Sequence, residues 1–156
     1  MHIYILLKQH GQWSNGSSEA MVRKLCELID FNDELVYMQG KPSFLHSNYF
    51  LSVSHSANVM AIAIANQDIG IDLEKNRDIK SEVIDRVHLN EDQPLVDWCQ
   101  REALIKLLND PDYLFKPAPQ GIRFTPLDVF DGFTCVLASV NEPDDIKIFH
   151  LKEEAL

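Results

Sequence analysis

The chain has 156 residues, 46% of them hydrophobic, and a formal net charge of −10. That length supports one compact core across residues 1–156 and leaves too little chain for two independent ones. The acidic field repels nucleic acid and anionic membrane, and no apolar run is long enough to span a bilayer, so neither is expected as a partner.

Residues 2–8 hold Ile3, Tyr4, Ile5, Leu6 and Leu7, followed by Lys8, with no small-residue cleavage site. They predict a first strand rather than a signal peptide, and a cytoplasmic protein is expected. A polar loop with Asn15-Gly16 comes next. Val22, Leu25, Cys26 and Ile29 then recur at helical spacing, with Ser18 placed to cap the helix. Gly40-Lys41-Pro42 breaks the pattern. Residues 49–53 read as a strand, Ser54-His55-Ser56 as a polar turn, and residues 59–65 as a buried strand without charge.

Residues 69–74 predict another strand, with Ile69, Ile71 and Leu73 on one face and Asp72 and Glu74 on the other. A short helix fits residues 81–87. Pro94 opens a longer one that ends near Asn109, before Pro111. The remainder is rich in strand signals: Asp131-Gly132 marks a hairpin, and residues 133–140 and 146–151 are the last strands. The fold class expected is α+β, with one mixed or antiparallel sheet and a long helix packed on it. Cys26, Cys99 and Cys135 lie far apart in apolar segments and read as reduced, buried thiols. His2, His10, His46, His88 and His150 show no metal-ligand spacing and read as structural or surface groups.

Three groups of residues have the makings of a site. Asp72 and Glu74 are two apart on a strand, so their carboxylates share a face roughly 6–7 Å apart, a spacing that suits a hard cation such as Mg²⁺ and equally a solvated acidic face. In the long helix, Glu102 falls among Leu95, Trp98 and Ile105, with Lys106 one turn on. A carboxylate among apolar neighbours wants a partner or a metal; an ordinary Glu–Lys pair is the other reading. Gly40-Lys41-Pro42 and Ser54-His55 supply a close-approach glycine, a cation, a hydroxyl and an imidazole, or simply two turns.

Taken in order, Gly40-Lys41-Pro42, Ser54-His55-Ser56, Gly70-Ile71-Asp72-Leu73-Glu74 and Trp98-Cys99-Gln100-Arg101-Glu102-Ala103-Leu104-Ile105-Lys106 resemble the 4′-phosphopantetheinyl transferase superfamily. That family shows Gly-Lys-Pro, Ser-His-Ser, Gly-Ile-Asp-Ile-Glu and Trp-x-x-Lys-Glu-(Ala/Ser)-x-x-Lys. The match spans residues 40–107 and extends to 151 if residues 132–140 and 145–151 form the family's closing hairpin. Residues 1–39 would be a shortened N-terminal part.

The resemblance implies transfer of the phosphopantetheine arm of coenzyme A to a serine of an apo acyl or peptidyl carrier protein. Asp72, Glu74 and Glu102 would hold Mg²⁺, or Mn²⁺, against the pyrophosphate. Glu102 would help deprotonate the serine, and Lys106 would neutralise phosphate charge. Lys41, Ser54 and His55 would hold the coenzyme A phosphates, with the backbone of Gly40 to Pro42 along the adenine and Trp98 as a core anchor. Two shortened pseudo-repeats in a monomer, or self-association, would complete the site.

The chain departs from the family pattern in three places, one of them a shortened segment between Glu74 and Trp98, which in the family often helps dock the carrier protein. Arg101 replaces the lysine before Glu102, and only Lys8, Arg23 and Lys24 precede Gly40, against Glu19, Glu27, Asp30, Asp33 and Glu34. These departures define the alternative, a non-catalytic relative that binds coenzyme A or a carrier protein.

Overall fold

The computed structural model describes residues 2–9, 17–38 and 41–151. Strand β1 (His2–Gln9) is followed by helix α1 (Ser17–Leu28), the short strands β2 (Leu35–Met38) and β3 (Lys41–Phe44), then β4 (Phe50–Ser56) and β5 (Val59–Ala65). Strand β6 (Ile69–Lys75), helices α2 (Ser81–Val87) and α3 (Pro94–Leu108), a 3₁₀ turn (Pro111–Leu114), and strands β7 (Arg123–Leu127), β8 (Phe133–Ser139) and β9 (Asp145–Leu151) complete the order. Among the described residues no helix is long and apolar enough to cross a membrane.

The α+β class is as expected, but the strands do not form one sheet. Among the described residues there is a four-stranded sheet in the order β4-β5-β1-β9, a two-stranded sheet β2-β3, and a three-stranded sheet β6-β8-β7. The larger sheets pack face to face. Ile3, Ile5, Leu7, Ala61 and Ala63 from one meet Ile69, Ile71, Leu73, Cys135 and Leu137 from the other in a shared core. The outer face of the four-stranded sheet buries Leu6, Ile62 and Ile64 against Val22 and Leu25 of α1. The outer face of the three-stranded sheet buries Val136 and Ala138 against Cys99, Ala103, Leu104 and Leu107 of α3. The result is four layers, helix–sheet–sheet–helix, which is why β5 is buried along its whole length and contains no polar residue.

The chain traces one path twice. Strand β1, helix α1 and the hairpin β4–β5 pair in the order β1-β5-β4; strand β6, helix α3 and the hairpin β7–β8 pair in the order β6-β8-β7. Strands β8 and β9, expected as a closing hairpin, part company: β9 runs parallel to β1 with Ile3 opposite Ile146 and Ile5 opposite Ile148. Strand β4 continues through Ser54, His55 and Ser56, so the expected polar turn is strand, and the chain reverses at Ala57 and Asn58, with Ala57 in the left-handed region at φ 49°. Gly40-Lys41-Pro42 gives way to strand from Lys41 onward, with Pro42 opposite Tyr37.

Helix α3 begins at Pro94, whose fixed φ suits a first turn, and ends on Asn109 at φ 52°. Arg101 fixes its orientation. Its guanidinium donates to the carbonyls of Val87 (2.6 Å), Leu114 (2.7 Å) and His88 (2.8 Å), and to both Asp97 carboxylate oxygens (3.1 and 3.0 Å). One planar fork thus ties together the end of α2, α3 and the 3₁₀ turn. A lysine has no such fork, so Arg101→Lys is expected to lower stability by about 2 kcal/mol despite keeping the charge. Urea denaturation checks this, and an unchanged midpoint would contradict it.

Candidate functional site

Gly70 lets α3 lie directly on β6. A Cβ built there would stand 2.0 Å from the Ala103 carbonyl oxygen and 2.6 Å from the Leu107 nitrogen, both backbone atoms. Because side chains alternate along a strand, Asp72 and Glu74 leave β6 on the same face as Gly70, toward the helix. Asp72, Glu74, Glu102 and Lys106 are therefore gathered on one side of the sheet.

Asp72 is 4% exposed. Its Oδ1 accepts from Ser54 Oγ and from Lys106 Nζ, each at 3.3 Å, while Oδ2 is buried without a hydrogen-bond partner among the described residues. Burial first, helped by Glu74 and opposed by Lys106, raises the carboxyl to about 7. Glu102, half-buried, is also raised, by burial first and then by Glu74, with Lys106 opposing. Glu74 is thus close enough to both Asp72 and Glu102 to raise each of them.

They do not form a closed ligand set. Glu74 turns to Arg77, with Oε2 2.9 Å from the guanidinium. Among the described residues no group of three His, Cys, Asp or Glu side chains is drawn together closely enough to hold a metal ion. Electrostatics accounts for this: like charges turn toward the nearest cations, here Arg77 and Lys106. The donor set itself, all carboxylate oxygen with one buried oxygen unsatisfied, fits a hard divalent cation.

Lys106 differs from its expected part. Its ammonium donates to the Ile71 carbonyl (2.9 Å), the Val53 carbonyl (3.3 Å) and Asp72, which engages all three of its N–H groups. It bridges β4 and β6 and holds Asp72, so its charge acts through that carboxylate. Ser54, expected on the coenzyme A phosphates, is instead buried, accepting from the Leu73 backbone N–H at 3.0 Å and donating to Asp72. His55 is exposed and leaves the strand on the opposite face. A turn would let Ser54 and His55 converge on one ligand; a strand sends them apart. Gly40 and the Lys41 side chain lie outside the described residues. Trp98, expected as a core anchor, is half-buried, and the neighbouring Cys99 is the fully buried residue. All three cysteines are free, with Cys26 only half-buried.

No protein-family model matches the chain, and no curated protein matches it. The site therefore rests on its own geometry. Two further parts of the site carry a signal in the sequence. Arg77 stands three residues after Glu74, within reach of it, and with Asp78, Ile79, Lys80, Val83 and Trp98 it lines a cavity of about 300 Å³. Ser52, Ser54 and Ser56 repeat every second residue, the period of a strand rather than of a turn.

Proposed function

We propose that the protein is a divalent-cation-dependent 4′-phosphopantetheinyl transferase acting on coenzyme A and the serine of an apo carrier protein in the cytoplasm. The observation that carries this reading is the buried Oδ2 of Asp72, without a hydrogen-bond partner among the described residues, in a carboxyl raised to about 7 beside Glu74, which also raises Glu102. An acidic cluster of this kind would repel a pyrophosphate; Asp72, Glu74 and Glu102 would hold Mg²⁺ or Mn²⁺, which would reverse the sign of the site and supply charge neutralisation to the phosphate. The twice-traced path, with these residues at the seam between its halves, is also consistent with a phosphopantetheinyl transferase-like fold.

The chain's own residues have distinct tasks in this reading. Burial raises Glu102 and makes it a better base for the serine hydroxyl proton. The serine oxygen bonds to the phosphorus that carries the pantetheine arm, and the bond from that phosphorus to the oxygen of adenosine 3′,5′-bisphosphate breaks, its electron pair leaving with that oxygen. Lys106 keeps Asp72 in place across the β4–β6 seam. Arg77 must exchange Glu74 for the anionic ligand as the site fills.

A second reading, a non-catalytic relative that binds coenzyme A or a carrier protein, is favoured by one observation: Ser54 is consumed inside the fold while His55 faces away, so these two do not make a shared phosphate cradle. Incubation with coenzyme A, Mg²⁺ and a panel of apo carriers, followed by intact-mass measurement, separates the two. Gain of the phosphopantetheine mass on a carrier supports the transferase. Retained coenzyme A binding with no mass gain on any carrier supports the second reading.

A further inference from the structure

The free edge of β6 is closed by side chains. On β4, the hydroxyls of Ser52, Ser54 and Ser56 accept in turn from the backbone N–H groups of Ile71 (3.0 Å), Leu73 (3.0 Å) and Lys75 (2.8 Å). Three serines in alternation thus do for the two sheets what a backbone ladder does within one. The three differ in where the hydroxyl proton goes. Of the three, only Ser54 donates to a site residue, Asp72 Oδ1, at 3.3 Å.

Two donors, Ser54 and Lys106, therefore converge on Oδ1 of Asp72, whose carboxyl also lies near the Cys99 thiol and Glu74, while Oδ2 has no hydrogen-bond partner of good geometry among the described residues. A carboxylate gripped through Oδ1 by groups fixed to β4 and α3 cannot rotate to offer its oxygens in turn. Oδ2 is left as the presented atom. From this asymmetry we infer that Ser54 is a positioning residue: its hydroxyl fixes the Asp72 carboxylate so that Oδ2 is held ready for the cation. This rests on the reading of Asp72 as a cation ligand. It gives Ser54 a role through Asp72 and not through direct contact with a phosphate.

Ser52 provides the internal control. It is 7% exposed against 6% for Ser54, and it accepts from a β6 N–H at the same distance, yet it makes no hydrogen bond to Asp72. A purely structural role predicts equal consequences from the two positions; a positioning role does not. The experiment compares Ser52→Ala, Ser54→Ala and Ser54→Thr in the full chain. Urea denaturation reads stability, and electron paramagnetic resonance of free Mn²⁺ reads cation affinity with coenzyme A present.

Both alanine variants are expected to lose stability to a similar extent. Only Ser54→Ala is expected to weaken Mn²⁺ binding, by about tenfold, the lower end of what loss of a ligand-orienting partner does. Ser54→Thr, which keeps the hydroxyl, is expected to restore it. If Ser54→Ala fails to fold, Ser54→Cys keeps the volume with only a weak donor and carries the same expectation. Unchanged Mn²⁺ affinity in the Ser54 variant, or equal weakening by Ser52→Ala, overturns the inference alone. A wild-type chain that binds no Mn²⁺ overturns the parent reading and this inference with it.

Discussion

Asp72→Asn is expected to abolish transfer and, at the same time, to make the metal-free protein more stable. The carboxyl is raised from 3.8 to about 7 by burial, so the folded state holds its proton more tightly than the unfolded chain does. Below pH 3.8 both states are protonated and the group is neutral to stability. As pH rises from there to about 7 the unfolded chain ionises first, and stability falls; above that range the full penalty remains. Asparagine has the same shape and no charge to bury. It still accepts from Ser54, although Lys106 loses an anionic partner, and a net gain of about 2 kcal/mol at neutral pH is expected.

Two results identify this cause. The urea midpoint of the variant should exceed that of the parent at neutral pH, and the fall of stability with rising pH should flatten. Transfer should drop by about a hundredfold or more, because a neutral amide oxygen is a poor substitute for a carboxylate beside a divalent cation. Opposite signs for stability and activity at one residue are what a site strained for function produces. A variant less stable than the parent at neutral pH would show that Asp72 is an ordinary ion-pair partner of Lys106.

Gly70→Ala is expected to be the most damaging single substitution in the chain. The added carbon would stand 2.0 Å from the carbonyl oxygen of Ala103 and 2.6 Å from the nitrogen of Leu107. Both are helix backbone, so no side chain can swing aside; α3 as a whole must lift. Cys99, Ala103, Leu104 and Leu107 would then lose their seat on Val136 and Ala138. A loss of about 3 kcal/mol or more is expected, together with loss of the geometry that brings Glu102 and Lys106 to Asp72. Far-UV circular dichroism with urea denaturation measures it. A cooperatively folded variant with the parental midpoint would mean that the helix does not rest on β6 as described.

Much of this was legible in the sequence where one face of an element decides its fate. Alternation put Ile69, Ile71 and Leu73 opposite Asp72 and Glu74, and the structure divides them the same way between the central core and the face under α3. Pro94 and Pro111 bracketed α3, which runs Pro94–Leu108. Other features depend on distant partners and left no local trace. The hydroxyls of Ser52, Ser54 and Ser56 look like an interruption until β6 lies alongside to use them. Asp72 and Glu74 share a face, yet Asp72 is buried and Glu74 meets Arg77, because α3 covers one end of the strand more than the other. Lys106 has the right type and spacing for a phosphate, but its reach to Val53 and Ile71 depends on two strands that are far from it in sequence. Strand β9 is apolar enough for several places; its parallel seat beside β1 is set by the open edge there.

Calorimetric titration of coenzyme A into the full chain, with and without Mg²⁺, bears most directly on the whole account. Cation and coenzyme A should bind cooperatively, with affinity at least about tenfold higher when Mg²⁺ is present, a coupling of roughly 1.4 kcal/mol, and Asp72→Asn should erase the difference. Equal affinity for coenzyme A with and without Mg²⁺, or a Mg²⁺ effect that survives the loss of Asp72, would contradict it.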